Sequence, residues 1–509
     1  MANVPTARAG MASVFDLFHA QVRAAPDAVA LSDADGTVGY AELERRALRL
    51  AALFRARGLV RGDRIALLSE NRRAFVEIQL AAAALGLIVA CQNWRLNREE
   101  LRHCIDMVTP GLVLVSARHE EAWKATGLNL PALVIDRDLN DLPVPATDLP
   151  DVDPEDGLVI LYTSGTTGLP KGALISHRAE IARMCVYRTD FTVGPSDGFI
   201  AWAPMFHMGS TDQVLATLMF GGTVHVIDGL DPRRIVDIMG THRLGWLLLM
   251  PGSIEPVVAI LKAEGTQVAG IRAIGAMIDL VPRAVAADLA RLTGAPYLNS
   301  FGSTETGLPP CSGRLMSPDD LLHGNLSKRP SSLVTINLVD TDGQPVSDGD
   351  PGEMSVRGPT IFSGYWNAAD ANAKDFADGR FRMGDMFRRN PDGSYDFVDR
   401  AKYMIKSGGE NIYPAEVERV LLADPRVRDA VVVRKADPQW GEIPVAFIAR
   451  QDDTLDAAGV ETLCRAHLAG YKRPREVRFV DYDALPRSTT GKIVRHEIEA
   501  QLKAELPGR

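Results

Sequence analysis

GLVILYTSGTTGLPKGALISH, residues Gly157 to His177, decides how the rest of this chain is read. An apolar run, Leu158 to Leu161, has the texture of a buried strand, and a second short run, Ala173 to Ile175, follows the polar stretch. Between them lie three glycines (Gly165, Gly168, Gly172), four hydroxyls (Thr163, Ser164, Thr166, Thr167) and one cation, Lys171. Glycines let backbone approach an anion closely, and amides and hydroxyls donate to its oxygens, so the loop suits a polyphosphate. A plain polar hairpin would not need this density of donors.

The spacing from Gly165 to Lys171 does not fit G-x-x-x-x-G-K-[ST], and the following segment reads as strand rather than helix, which weakens a kinase or GTPase reading. Working outward, short apolar runs such as RIALLSE, GLIVACQ and TPGLVLVSA alternate with helical patterns from about Val14 to Leu230, as in layered α/β architecture with mostly parallel strands. A second set from GWLLLMPGS to GAPYLNSFGSTE predicts a second sheet. Between about Leu333 and Val398, short strands separated by Asp-Gly and Pro-Gly turns predict a β-rich, barrel-like part. A small α/β domain should follow. The expected fold is therefore α/β: a large domain over 1–399 with two α/β subdomains and the β-rich part, a hinge at 400–402, and a small mobile domain over 403–509.

Size and charge narrow the function. At 509 residues, 46% apolar and 24% charged, the chain is too long for one core. A net charge of −9 without a long basic block argues against nucleic acid as partner. Five widely spaced cysteines with no C-x-x-C pair predict free buried thiols. The stretch Leu80 to Cys91 is too short to span a bilayer and reads as a buried helix running into a strand. A soluble cytoplasmic enzyme with no integral membrane segment is expected.

The 161–172 run strongly resembles the superfamily of acyl-CoA synthetases, peptide-synthetase adenylation domains and firefly-type luciferases, and the resemblance extends in order over nearly the whole chain. Phe301, Gly302, Ser303, Thr304 and Glu305 match its aromatic-glycine-x-Thr-Glu segment, which implies an aromatic face for adenine and a Mg2+ ligand at Glu305, assisted by the hydroxyl of Thr163. Asn299 and Ser300, with Gly275 and Ala276, stand at the implied adenine edge. FRMGDMF implies that Asp385 binds the ribose, with Met383 where threonine is usual. DRAKYMIKSGGEN implies that Arg400 contacts ribose or phosphate, that Lys402 is the hinge residue and that a glycine turn, Gly408-Gly409, lets pantetheine pass; Tyr403 stands where Asp is common. LPRSTTGKIVR implies the catalytic lysine, Lys492. WAPMFHMGSTD implies an acid pocket with Trp202, His207 as its gate, Met208, Gly209 and Thr211, joined by Met277, Leu308 and Pro309. HGNLSKRPSS departs from the usual glycine-rich segment, with Asn325 and Lys328 in place of glycines.

The resemblance thus implies an ATP-dependent carboxylic acid:CoA ligase that makes an acyl-adenylate and then a thioester. Its expected partners are a fatty or aryl monocarboxylic acid, ATP, Mg2+ and coenzyme A, with a homodimer left open. Two alternatives stand beside it: an adenylation enzyme serving a carrier protein, and a non-catalytic nucleotide-binding module, which would not need Lys492.

Overall fold

In the computed structural model, which describes residues 11–163, 169–250, 252–275, 281–408, 410–487 and 493–504, the strands Gly157–Thr163 and Lys171–Ser176 form an antiparallel hairpin. Tyr162 pairs with Gly172 and Thr163 with Lys171, so the two ends of the glycine-rich run meet across one ladder rung. The hairpin edges a six-stranded sheet in the order Ala132–Val134, Leu112–Val115, Arg64–Leu68, Ile88–Cys91, Gly157–Thr163, Lys171–Ser176, parallel except for the last strand. The buried helix expected before Cys91 runs Arg73–Leu85. It stops at Gly86, whose φ of +65° suits glycine, and the strand Ile88–Cys91 follows.

The second sheet has eight strands: Leu315–Met316, Tyr297–Leu298, Ile271–Gly275, Leu244–Leu248, Gly198–Ala201, Val224–Val226, Val29–Asp33 and Gly36–Gly39. This corrects the expected division of the chain at about Leu230. Gly198–Ala201, Val224–Val226 and the N-terminal hairpin all belong to the second sheet. Parallel partners are chosen by nonlocal packing, which a local apolar run does not encode.

The β-rich part is a five-stranded antiparallel sheet in which Arg380–Arg389 pairs with Pro351–Arg357, Phe376–Ala377 and Tyr395–Arg400. Its last strand ends at Arg400, a short turn covers Ala401–Tyr403, and Ile405–Ser407 enters another sheet. That sheet joins Glu410–Ile412, Ile405–Ser407, Gly441–Arg450, Val427–Asp437 and Glu476–Val480. It has apolar clusters of its own, one around Ile412, Val417 and Leu421 and another around Val431, Leu485 and Ile498. No helix among the described residues is long and apolar enough to cross a membrane. All five cysteines are free, and all but the half-buried Cys185 are buried.

Candidate active site

Glu305 sits at the tip of a tight hairpin between Gly302–Ser303 and Gly307–Pro310. A Cβ at Gly302 would lie 2.0 Å from the Gly307 carbonyl oxygen, so the glycine there is a steric requirement. The Glu305 side chain is 9% exposed, and its Oε1 accepts a 2.7 Å hydrogen bond from the Tyr365 hydroxyl. Its backbone carbonyl accepts from the Phe362 amide at 2.8 Å.

Tyr365 reaches this position because residues 363–366 lie along the hairpin edge. Leu174 donates to the Gly364 carbonyl at 3.0 Å, Ser363 to Leu174 at 2.8 Å and Trp366 to Gly172 at 2.7 Å. The ring of Tyr365 then lies beneath Lys171, whose Nζ is 4.1 Å from its centroid and 3.6 Å from Asp375. Burial first, and the Glu305 carboxylate second, push the phenol well above its ordinary value, so it stays a donor. Neither Tyr365 nor Asp375 figures among the sequence-predicted site residues. Each acts through a neighbour brought in from elsewhere in the chain, and the sole sequence signal is a tyrosine in a glycine-containing turn, FSGYW.

Asp385 faces Arg400 across the β-rich sheet. The two are register partners, and Arg400 Nε lies 3.0 Å from the 2%-exposed Asp385 carboxylate, which raises the guanidinium above its ordinary range. Phe301 is buried edge-on against Phe387, with centroids 4.7 Å apart. Gly275 ends its strand at φ +150°, where a Cβ would be 2.3 Å from the Leu298 carbonyl oxygen. Asn299 is buried and donates to the Leu326 carbonyl at 2.8 Å. Ser300 follows it at the strand end, and the hydroxyl of Ser303 meets that of Thr306 at 3.3 Å.

In the implied acid pocket, His207 precedes the helix Met208–Phe220 and packs against Phe206, which meets Trp94 edge-on at 5.9 Å. Burial lowers the His207 pKa to about 4, with the nearby Arg95 charge adding to the shift. The imidazole is therefore neutral near pH 7, and its buried Nε2 has no hydrogen-bond partner among the described residues. Trp202 donates from its indole to the Leu248 carbonyl at 2.7 Å, and a Cβ at Gly209 would press to 3.0 Å on Leu248. Leu308 and Pro309 are buried in the strand beside Glu305, and Met208 is half-buried. Thr211 is fully buried, with its hydroxyl on the Met205 carbonyl.

Lys402 Nζ lies 4.9 Å from the Tyr403 ring, and Arg495 covers that ring at the same distance. Gly408, at φ +58°, closes on Trp440: a Cβ there would be 2.6 Å from the indole. Buried Lys328 pairs its amide and carbonyl with Tyr395. Ser164, Gly165, Thr166, Thr167, Ala276, Met277, Gly409 and Lys492 lie outside the described residues.

As a cation site, Glu305 has the right chemistry for Mg2+. It is a hard oxygen donor, and its Oε2 carries no protein hydrogen bond among the described residues. No group of three or more His, Cys, Asp or Glu that could hold a metal occurs among the described residues. Mg2+ at phosphate sites is ordinarily held by one or two carboxylates together with phosphate oxygens, a role that a single Glu305 can serve.

Comparison with known proteins gives one answer along the whole chain. Residues 18–366 match the family model of AMP-binding enzymes, and 416–492 match the model of the AMP-binding enzyme C-terminal domain. A feruloyl-CoA synthase from Amycolatopsis sp. is 32% identical over 490 residues, covering 94% of this chain and 96% of that protein. An indoleacetate–CoA ligase from Aromatoleum aromaticum is 32% identical over 492 residues, with 93% and 95% coverage. Among solved structures, o-succinylbenzoate CoA synthetase from Bacillus subtilis in complex with its acyl-adenylate intermediate aligns with a TM-score of 0.82 at 25% identity, covering 95% of this chain and 97% of that one. The same synthetase has also been solved with ATP and magnesium ion.

Proposed function

The chain belongs to the AMP-binding enzyme family, and from that premise we propose that its site joins an aryl or arylalkyl monocarboxylic acid to coenzyme A by way of an acyl-adenylate. A carboxylate is a poor electrophile. Attack of its oxygen on the α-phosphorus of ATP releases pyrophosphate and supplies a leaving group, AMP, which a thiol then displaces. The observation that carries this reading is the junction of Glu305, Tyr365 and Lys171 at the mouth of the glycine-rich hairpin. It sets a hard-cation ligand and a fixed ammonium beside a loop suited to polyphosphate.

The residues divide the work by position. Mg2+, when bound, neutralises charge on the phosphate oxygens, and Glu305 with Thr163 would hold it. Tyr365 fixes one carboxylate oxygen of Glu305 by hydrogen bond. Lys171, held over Tyr365 and near Asp375, meets the leaving phosphates. Asp385 accepts from the ribose hydroxyls while Arg400 pairs with its carboxylate. Lys492 would act beside the reacting carboxylate and the α-phosphate during adenylation and would be withdrawn for thiolysis by rotation about Lys402. Catalysis is then positioning and electrostatics, with no protein nucleophile.

The choice of acid rests on the surroundings of His207. Neutral imidazole, Phe206 and Trp94 form an aromatic wall, with the Arg95 guanidinium 4.8 Å from the Trp94 ring centroid, and this wall favours a flat aromatic acid. Relatives named for ferulate and indoleacetate, both aryl-bearing monocarboxylic acids, support the same class. The test is pyrophosphate release over short, long and aromatic acids, with and without coenzyme A. Release with aromatic acids and thioester formation with coenzyme A are expected. Release without any thioester would favour a carrier-protein acceptor, and no release with any acid would overturn the enzyme reading.

A further inference from the structure

Behind the hairpin that carries Glu305 lies a fully buried ionic cluster that the proposed mechanism does not use. Arg183, on the helix His177–Phe191, and Asp212, on the helix Met208–Phe220, are both 0% exposed and pair at 3.0 Å. Glu180, one helical turn before Arg183, is also fully buried. The remaining donors of Arg183 reach two backbone carbonyls: Nη2 donates to Thr304 at 3.2 Å and Nε to Thr360 at 3.1 Å. The flank of the side chain fills the space at Gly307, where a Cβ would lie 2.7 Å from Arg183 Cδ.

The first carbonyl immediately precedes Glu305. The second begins the segment in which Phe362 donates to the Glu305 carbonyl and Tyr365 to its carboxylate. One guanidinium therefore spans both pieces of backbone that fix the Glu305 side chain. A planar fork with five donors is suited to that task, and lysine is not.

We infer that Arg183, held by Asp212, is a positioning residue that sets the Glu305 carboxylate for its cation by clamping the Thr304 and Thr360 carbonyls. This rests on the reading of Glu305 as the Mg2+ ligand. The local charge balance supports it. Two buried carboxyls beside one guanidinium would leave a net negative charge, which a dry interior does not tolerate. Burial first and the adjacent Asp212 second push the Glu180 carboxyl well up, so Glu180 stays protonated. The guanidinium and the Asp212 carboxylate then cancel, and Arg183 keeps its remaining donors for the two carbonyls.

The test compares R183M, the double variant R183M/D212L and E305Q in pyrophosphate release as a function of Mg2+ concentration, with Tm measured in parallel. R183M strands the Asp212 charge and should lose stability. R183M/D212L removes the ion pair as a unit, so it should regain most of the Tm. It should nevertheless need about 10-fold more Mg2+ for half-maximal rate, because hydrogen bonds to a charged group are lost at the clamp. If E305Q raises the Mg2+ requirement while R183M/D212L, with its Tm restored, keeps the parent requirement, the clamp is overturned and the Glu305 reading stands. If E305Q leaves the requirement unchanged, the metal role of Glu305 falls and the role of Arg183 falls with it.

Discussion

At the scale of single residues, the site depends on side chains whose role is set by what lies opposite them. Tyr365 shows this most directly. Its hydroxyl is buried against Glu305 and its ring lies under Lys171, so one residue couples the proposed metal ligand to the phosphate loop. Replacing it with phenylalanine keeps the ring under Lys171 and removes only the hydrogen bond. A hydrogen bond to a charged partner is worth about 1.5–3 kcal/mol, which is on the order of 10- to 100-fold. Y365F should therefore lower the adenylation rate by about that factor, with the Km for the acid little changed. A rate within twofold of the parent would show that Glu305 is oriented without it. The glycine-rich setting marked Lys171 as a candidate directly, whereas Glu305 and Asp385 became candidates only through the family resemblance, since alone each is an ordinary turn or surface carboxylate. Tyr365 and Arg183 were not legible. An aromatic in a turn or an arginine in a mixed-polarity helix is ordinary until the fold brings a carboxylate or a carbonyl to it.

Elements are held by contacts of the same long-range kind. The helix Val14–Ala24 starts with a capping box in which the Ser13 side chain accepts from the Asp16 amide and the Asp16 carboxylate accepts from the Ser13 amide. The next orphan amide, Val14 N–H, donates 3.1 Å across to His177 Nδ1, at the start of the helix after the phosphate hairpin. Accepting at Nδ1 requires neutral imidazole, and burial lowers the His177 pKa from 6.5 to about 4. The unfolded chain takes up this proton below about pH 6.5 and the folded one only near pH 4. The docking is therefore fully present above pH 6.5 and is lost as pH falls towards 4, by about 3 kcal/mol in total. In H177N an amide oxygen takes over the acceptor role without a titrating proton. Its Tm should fall less steeply than the parent's between pH 7 and 4.5, whereas parallel slopes would remove His177 from the acid response. The helix itself rests on local features, the Ser13 cap and the buried face of Phe15, Phe18 and Val22. Its anchor is 163 residues away.

Over the whole molecule, strand–turn texture distinguished the large α/β part, the β-rich sheet and the small domain, since each period and turn type is local. The interleaving of the two large sheets escaped it, because strand order is decided by packing between distant segments. The same separation in sequence bears on the proposed reaction cycle. The backbone leaves the β-rich sheet at Arg400 and joins the small domain at Ile405. Between them, Tyr403 packs against both Lys402 and Arg495. Arg495 opens the last helix, three residues beyond Lys492, and is tied at 2.5 Å to Glu418 inside the small domain. Rotation at the connector would therefore carry the Lys492 segment with the small domain as one body. If that lysine stabilises only the charge of adenylate formation, K492A should lose about 10²-fold or more in pyrophosphate release, the scale of removing one charge-stabilising donor. Thioester formation from a supplied acyl-adenylate and coenzyme A should then proceed at close to the parent rate, as withdrawal of the lysine at that stage would require. Equal losses in the two half-reactions would mean that Lys492 acts throughout, and a single fixed arrangement of the domains would then have to serve both steps.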